Sequence, residues 1–144
     1  MPHLLQRLLN QELGAAYNYE ALSLWCEDQH FQGFASFFGK LAAEERLHAR
    51  KIIDHLLDWG ILPELGSIHA PKGKFENILE VAEQARTMGQ TNTAGIHLAY
   101  QAALTGTDLP AQVLLHWFIN EQIEEEAWAD EMSRESREPV VRVD

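Results

Sequence analysis

The chain has 144 residues, of which 46% are apolar, and 22 acidic side chains outnumber 11 basic ones to give a formal net charge of −11. The apolar fraction excludes a disordered or fibrous protein, and the negative charge argues against nucleic-acid binding through a basic face. A single cysteine excludes internal disulfides and cysteine-based zinc or iron sites. With no leader-like segment and no run of about 18 apolar residues, we expect a cytoplasmic protein without a membrane span.

Apolar residues recur at helical spacing through nearly the whole chain, and no segment alternates with period two. The predicted helices cover about residues 3–29, 33–59, 75–104 and 109–138. Prolines and glycines predict a loop at 60–74, and Asp108 with Pro110 predicts the start of the fourth helix. We expect only the short tail 139–144 to be loosely held.

The four helices have similar lengths, roughly 40 to 45 Å, and each has one apolar stripe. Two connections are short, whereas the middle one is long enough to run the length of a bundle. The pattern predicts an all-α fold, an antiparallel four-helix bundle with one long crossover, in a single domain of residues 1–144.

Polar residues interrupt the apolar stripes near the middle of three helices. They are Glu12 on the first, Glu45 and His48 on the second, and Gln122 and Glu125 on the fourth. A buried charge costs on the order of several kcal/mol unless it is paired or binds a metal. Carboxylates with one imidazole suit a redox-active iron with open coordination positions, so we predict an iron site.

Each of these residues, taken alone, has an explanation that does not require a metal. A glutamate and a histidine three positions apart occur often by chance, and a glutamate on a stripe commonly lies at its edge. Agreement between three helices favours the metal site. His55 also falls on the second stripe, two turns from His48, and is predicted to be a hydrogen-bonded core histidine.

Four segments together resemble the bacterial non-haem ferritins over roughly residues 3 to 138. They are Leu9-Asn-Gln-Glu-Leu-Gly-Ala-Ala-Tyr17, Phe31-Gln-Gly-Phe-Ala-Ser-Phe-Phe38, Glu44-Glu-Arg-Leu-His48 and His116-Trp-Phe-Ile-Asn-Glu-Gln-Ile-Glu-Glu-Glu126. The order and spacing of these segments make the resemblance specific, and it matches the known di-iron class of helix bundles.

The resemblance implies a ferroxidase centre. Glu12, Glu45 and His48 would hold a first iron, and Glu45 would bridge to a second iron held by Glu125, with Gln122 close by.

It also implies residues around that centre. Tyr19 would be the family's tyrosine beside the two irons. Glu44, Glu121 and Glu124 would form the third iron site of some bacterial members.

The chain departs from the family at three places. The glutamate that the family places on the third helix, as a ligand of the second iron, corresponds here to Gly89, so we expect an impaired second site. Only about six residues follow Glu138, so we expect no short fifth helix. Arg46 and Leu47 stand between Glu45 and His48, without the haem-binding methionine of bacterioferritins, so we expect no haem.

The resemblance implies an iron-storage ferritin that binds Fe²⁺, oxidises it with O₂ or peroxide and deposits ferric mineral in a homo-oligomeric shell. A shell of 24 subunits is compatible with the four-helix body. Two alternatives stay open: a non-catalytic accessory ferritin subunit, and another di-iron carboxylate oxidase. A rubrerythrin-like peroxidase would need a second Glu-x-x-His pair and a cysteine site, and a DNA-protecting mini-ferritin would need a basic tail.

Overall fold

The computed structural model describes residues 1–137, which form four long α-helices and, within that range, no strand. The helices are α1 (Pro2–Asp28), α2 (Gln32–Asp58), α3 (Ile78–Thr105) and α4 (Leu109–Ser136). None of these helices combines the length and the apolar character needed to cross a lipid bilayer. The expectations about the tail 139–144 and about a fifth helix lie outside the described residues.

Two apolar clusters show how the helices run. Apolar cluster 1 joins the end of α1 and the end of α4 to the beginnings of α2 and α3; its members include Leu22, Phe38, Val81 and Met132. Apolar cluster 2 joins the opposite ends of the same helices; its members include Leu8, Ile52, Ile96 and Leu115. Consecutive helices of each hairpin are therefore antiparallel, and the connection from α2 to α3 crosses the length of the bundle. The predicted fold class is confirmed.

Side-chain caps fix where α3 and α4 begin. The Asn77 side chain accepts a hydrogen bond of 2.9 Å from the Glu80 N–H, and that of Asp108 accepts one of 3.1 Å from the Ala111 N–H. The predicted start of α4 is confirmed. The third helix begins three residues later than about 75, because Asn77 supplies the preferred cap, whereas the apolar Phe75 packs outside the helix against Trp25.

The first three helices end in the same way, each with a residue in the left-handed region. His30, Gly60 and Thr107 have φ of 65°, 73° and 52°. After each helix the next two N–H groups turn back to its last carbonyls, as in Thr107 N–H to Leu104 O and Asp108 N–H to Ala103 O. This is the Schellman arrangement, which glycine adopts most easily.

The crossover is attached to α1 by two amide side chains. Gln6 donates to the Leu62 carbonyl and accepts from the Glu64 N–H. Asn10, one turn along, donates to the Glu64 carbonyl and accepts from the Gly66 N–H. Each amide pairs with both a donor and an acceptor of the irregular backbone, so a segment without a helix is still held in place.

His55 differs from its prediction. It is half-buried and lines a cavity of about 420 Å³ at the end of the bundle beside Leu5 and Trp59. Among residues 1–137 no side chain or backbone group hydrogen-bonds to its ring. The predicted hydrogen-bonded core histidine is wrong, because two turns beyond His48 the stripe has already reached the bundle end, where the core opens.

Candidate metal centre

A layer of polar side chains separates the two apolar clusters at the middle of the bundle. Glu12, Glu45, His48, Gln122 and Glu125 are all buried, with the carboxylates of Glu12 and Glu45 fully inaccessible. They come from α1, α2 and α4, at the level that the interrupted stripes predict. The helices carry these groups inward because the turns above and below are apolar and anchor each stripe to the core.

The donor atoms of this layer surround the His48 ring. Its Nδ1 lies 3.5 Å from Glu45 Oε2, 3.9 Å from Glu12 Oε2 and 3.9 Å from Glu125 Oε1. Glu12, Glu45 and His48 each offer one ligand atom, and these three atoms lie within 4.8 Å of one another. Among residues 1–137 this is the single group of three or more acidic, histidine or cysteine side chains that meets this condition. These separations are too long for good hydrogen bonds and suit atoms that converge on an ion.

Seven buried atoms of this layer have no hydrogen-bond partner among residues 1–137. They are both carboxylate oxygens of Glu12, Glu45 and Glu125, and Nδ1 of His48. Each buried polar atom left in this state costs roughly 1–3 kcal/mol, and more when it is charged. A cation with hard oxygen ligands and one imidazole would satisfy all of them at once, so the donor set fits a ferrous or ferric ion.

Without a cation, two of the three carboxyl groups, those of Glu12 and Glu125, retain their protons. Burial raises the pKa of Glu12 well above its usual value, and the neighbouring Glu45 and Glu125 raise it further. Burial and Glu45 likewise raise the pKa of Glu125 to about 10. Burial alone would raise the pKa of Glu45 as well, but the neighbouring Glu12 carboxyl group and the His48 imidazole lower it. Glu45 is thus the carboxylate that stays ionised.

Tyr19 lies beside this layer in apolar cluster 1, with its ring stacked on Phe38 at 6.2 Å between centroids. Burial raises the pKa of its phenol well above 10, and the charges of Glu125, Glu45 and Glu12 add to the effect. The phenol is therefore kept protonated next to the carboxylates.

Gln122 faces α3 rather than the carboxylates. Its Nε2 donates to the Gly89 carbonyl at 3.2 Å and to Thr93 Oγ1 at 3.0 Å. Gly89 is buried at this level, as the count along the sequence predicted, so α3 presents backbone where the other helices present carboxylates. Glu83, the nearest acidic residue before it on α3, is exposed.

The predicted third-site residues lie outside the buried layer. Glu44, Glu121 and Glu124 line a surface cavity of about 460 Å³ between α2 and α4, whose inner wall includes the His48 ring. Glu44 and Glu121 also contribute to the raised pKa of Glu125. In the described chain the three do not bring their ligand atoms together as a group.

Two contacts beside His48 were not anticipated. The Trp117 ring meets the His48 ring edge-on at 5.0 Å, and Lys51 Nζ lies 4.4 Å from the centroid of the same Trp117 ring. Trp117 directly precedes Phe118, which lies on the apolar stripe of α4, and this position was the only indication in the sequence that Trp117 lies near His48. Trp117 and Lys51 line the same surface cavity as the His48 ring.

Comparison with known proteins gives a consistent family. The ferritin-like domain model matches residues 3–137. The bacterial non-heme ferritin of Staphylococcus haemolyticus is 37% identical over 119 residues, which are 83% of this chain and 72% of that protein. The bacterial non-heme ferritin of Staphylococcus saprophyticus is 37% identical over 123 residues, 85% of this chain and 74% of that protein.

Two solved structures that superpose on this chain are ferritins. An open pore ferritin from the hyperthermophilic archaeon Archaeoglobus fulgidus superposes with a TM-score of 0.92 at 26% identity, covering 95% of this chain and 85% of that one. A humanized archaeal ferritin gives a TM-score of 0.92 at 28% identity, covering 95% and 83% of the two chains.

Proposed function

From the premise that this chain belongs to the ferritin-like domain family, we propose that it is an iron-storage protein with ferroxidase activity. It binds Fe²⁺, oxidises it to Fe³⁺ with O₂ or peroxide, and stores the ferric mineral within a shell of its own subunits. Iron is the substrate and the cargo.

The observation that carries this proposal is the set of buried atoms without partners. Three carboxylates and an imidazole converge at mid-bundle, and no group among residues 1–137 hydrogen-bonds to their buried ligand atoms. A fold retains such a cost where a ligand removes it. Hard carboxylate oxygens bind Fe³⁺ more strongly than Fe²⁺, so the same groups that capture the ferrous ion favour its oxidation.

Each residue has a role in this proposal. Glu12, Glu45 and His48 hold the first ion, and Glu45 extends to a second ion held by Glu125. Protons held by Glu12 and Glu125 leave as iron binds, because a coordinating carboxylate is ionised. Tyr19 lies close enough to feel the charges of the carboxylates, which is consistent with a role beside the oxidised irons.

The acidic cavity supplies the approach to this centre. Glu44, Glu121 and Glu124 line its wall, and the His48 ring lies at its inner side. A net charge of −11 raises the local concentration of cations around the molecule. We propose that iron passes these glutamates, which also form a third, weaker iron site.

The second candidate function is that of an accessory subunit that binds iron without oxidising it quickly. Gly89 favours this candidate, because α3 contributes no carboxylate at the level of Glu45 and Glu125. Stopped-flow mixing of Fe²⁺ with O₂ separates the two functions. A ferroxidase oxidises Fe²⁺ much faster than O₂ oxidises it in buffer without protein, whereas an accessory subunit does not accelerate this oxidation.

The test of the proposed site replaces its central carboxylate. Glu45→Ala removes the oxygens nearest His48, so we expect anaerobic calorimetry to show at least a hundredfold loss of Fe²⁺ affinity. Asp58→Ala, which removes an exposed carboxylate from the same helix, is the matched control and should bind as the parent protein does. Undiminished binding by the Glu45 variant would contradict the assignment.

A further inference from the structure

The buried layer is incomplete on the side of α3. Glu12, Glu45 and Glu125 reach it from the other three helices, whereas α3 offers the backbone of Gly89. Both Glu125 oxygens are buried without a hydrogen-bond partner among residues 1–137. A second cation bound by Glu45 and Glu125 would therefore have too few protein oxygens, unless another residue turns toward it.

Glu126 is the residue placed to do so. A β-carbon built on Gly89 would meet one atom within 4 Å, the Cγ of Glu126, at 3.9 Å. The stem of Glu126 thus covers the space that a side chain at position 89 would enter. The missing side chain of α3 and the Glu126 side chain occupy neighbouring parts of the same region.

The position of Glu126 on α4 agrees with this contact. It follows Gln122 by four residues, so the two side chains project from one side of the helix. Gln122 already donates to the Gly89 carbonyl across the α3–α4 interface. Gln122 and Glu126 therefore bracket Gly89, one with its amide and the other with its stem.

The carboxylate of Glu126 is free to move. Glu126 is half-buried, and its carboxylate makes no hydrogen bond or ion pair with any residue in the described part of the chain. In the metal-free protein, the negative charge of Glu45 and the cost of burying a second carboxylate keep the Glu126 carboxylate out of the layer. A divalent cation offsets both effects, and rotation about the side-chain bonds then brings the carboxylate inward.

We propose that Glu126 replaces the carboxylate that α3 lacks and completes the second cation position beside Glu125. The proposal rests on the proposed function, since it concerns the second ion of the same centre. The carboxylate that α3 lacks at Gly89 is then supplied by Glu126 of the neighbouring helix α4.

The test is anaerobic calorimetry with Fe²⁺ on the parent protein, on Glu126→Gln and on Glu131→Gln. Glutamine keeps the stem of residue 126 over Gly89 and removes its charge. Glu131 is an exposed glutamate on the same helix, so its variant controls for the lost charge. We expect two tightly bound ions per subunit for the parent and for Glu131→Gln. For Glu126→Gln we expect an unchanged first ion and at least a tenfold weaker second ion.

A second variant checks the geometry. Gly89→Glu in the Glu126→Gln background places a carboxylate on α3 and should restore the second ion. Circular dichroism on each variant reports whether the helices are intact, and Glu126→Ala repeats the test without the stem.

Each outcome separates the two proposals. Equal binding of the second ion by the parent and by both Glu126 variants overturns the role of Glu126 and leaves the storage function standing. A parent that binds one ion, with or without Glu126, also overturns that role. A parent that binds no Fe²⁺ overturns the proposed function itself.

Discussion

At the scale of single residues, the protonation of Glu125 makes the metal-free protein sensitive to pH. Its pKa is about 10 in the folded chain, against 4.5 for an ordinary glutamate. The folded state therefore keeps a proton that the unfolded state releases near pH 4.5. Stability from this group is complete below that pH and is lost as the pH rises toward 10. Glu12 acts in the same direction.

We expect the free energy of unfolding of the metal-free protein to decrease as the pH rises from about 5.5 to about 8.5, because this window lies between the unfolded and folded pKa values of Glu125. Glu125→Gln should flatten this dependence by up to about 1.4 kcal/mol per pH unit. Glu45 has a lowered pKa, so its contribution changes below about pH 4.5, outside this window. Urea denaturation in the presence of a chelator measures the effect. Parallel pH profiles for parent and variant would contradict it.

Individual site residues differ in how far the sequence could predict them. Glu12, Glu45, His48 and Glu125 were recognisable because a charge on an apolar stripe must be compensated, and the structure brings them together. The role of Gln122 was less accessible, because the direction of an amide depends on the carbonyl that faces it.

Glu126 was not recognisable at all. It lies beside the stripe of α4, and what distinguishes it is a glycine on another helix. Contacts of this kind depend on the register between α3 and α4, which no pattern within one helix specifies.

At the scale of helices, the turns that end α1 and α3 use residues other than glycine at left-handed positions. A left-handed conformation costs an L-residue roughly 1–2 kcal/mol, and a β-branched one is the least suited. Thr107 is exposed and has no side-chain hydrogen bond in the described chain, so replacing it removes little else.

Thr107→Gly should stabilise the protein by about 1 kcal/mol, after allowance for the greater freedom of glycine in the unfolded chain. The matched control is Gly60→Ala at the equivalent position after α2, where an added β-carbon meets nothing within 4 Å. It should destabilise the protein by a similar amount through the backbone alone. Thermal unfolding of both variants decides the matter, and a Thr107→Gly protein less stable than the parent would refute the backbone argument.

Helix ends also mark where prediction from sequence succeeds and fails. Asp108 with Pro110 specifies the start of α4, because both residues favour a helix N-terminus. The start of α3 was placed too early because Phe75 extends the apolar pattern beyond the cap at Asn77. An apolar residue can belong to the core without belonging to the helix.

At the scale of the whole molecule, large apolar side chains remain exposed on α1 and on the crossover. Leu24 is 62% exposed and Leu65 is 70% exposed. Scattered apolar side chains are common on protein surfaces, so the proposed assembly into a shell rests on the family rather than on these residues.

We expect light scattering at physiological salt to report an assembly much larger than a dimer, and electron microscopy to show a closed shell. The measurement should include a chelator, so that metal-driven aggregation does not imitate assembly. Monomers or dimers alone would rule out storage in a shell made by this chain.

The buried polar layer is shared between two hairpins that one crossover connects. Glu12, Glu45 and His48 belong to the α1–α2 hairpin, whereas Gln122 and Glu125 belong to the α3–α4 hairpin. Both apolar clusters likewise contain residues of each hairpin. A chain cut in the exposed crossover should therefore behave as two complementary fragments. Their association should tighten with ferrous iron, because an ion held by both hairpins links them as a removable cross-link does.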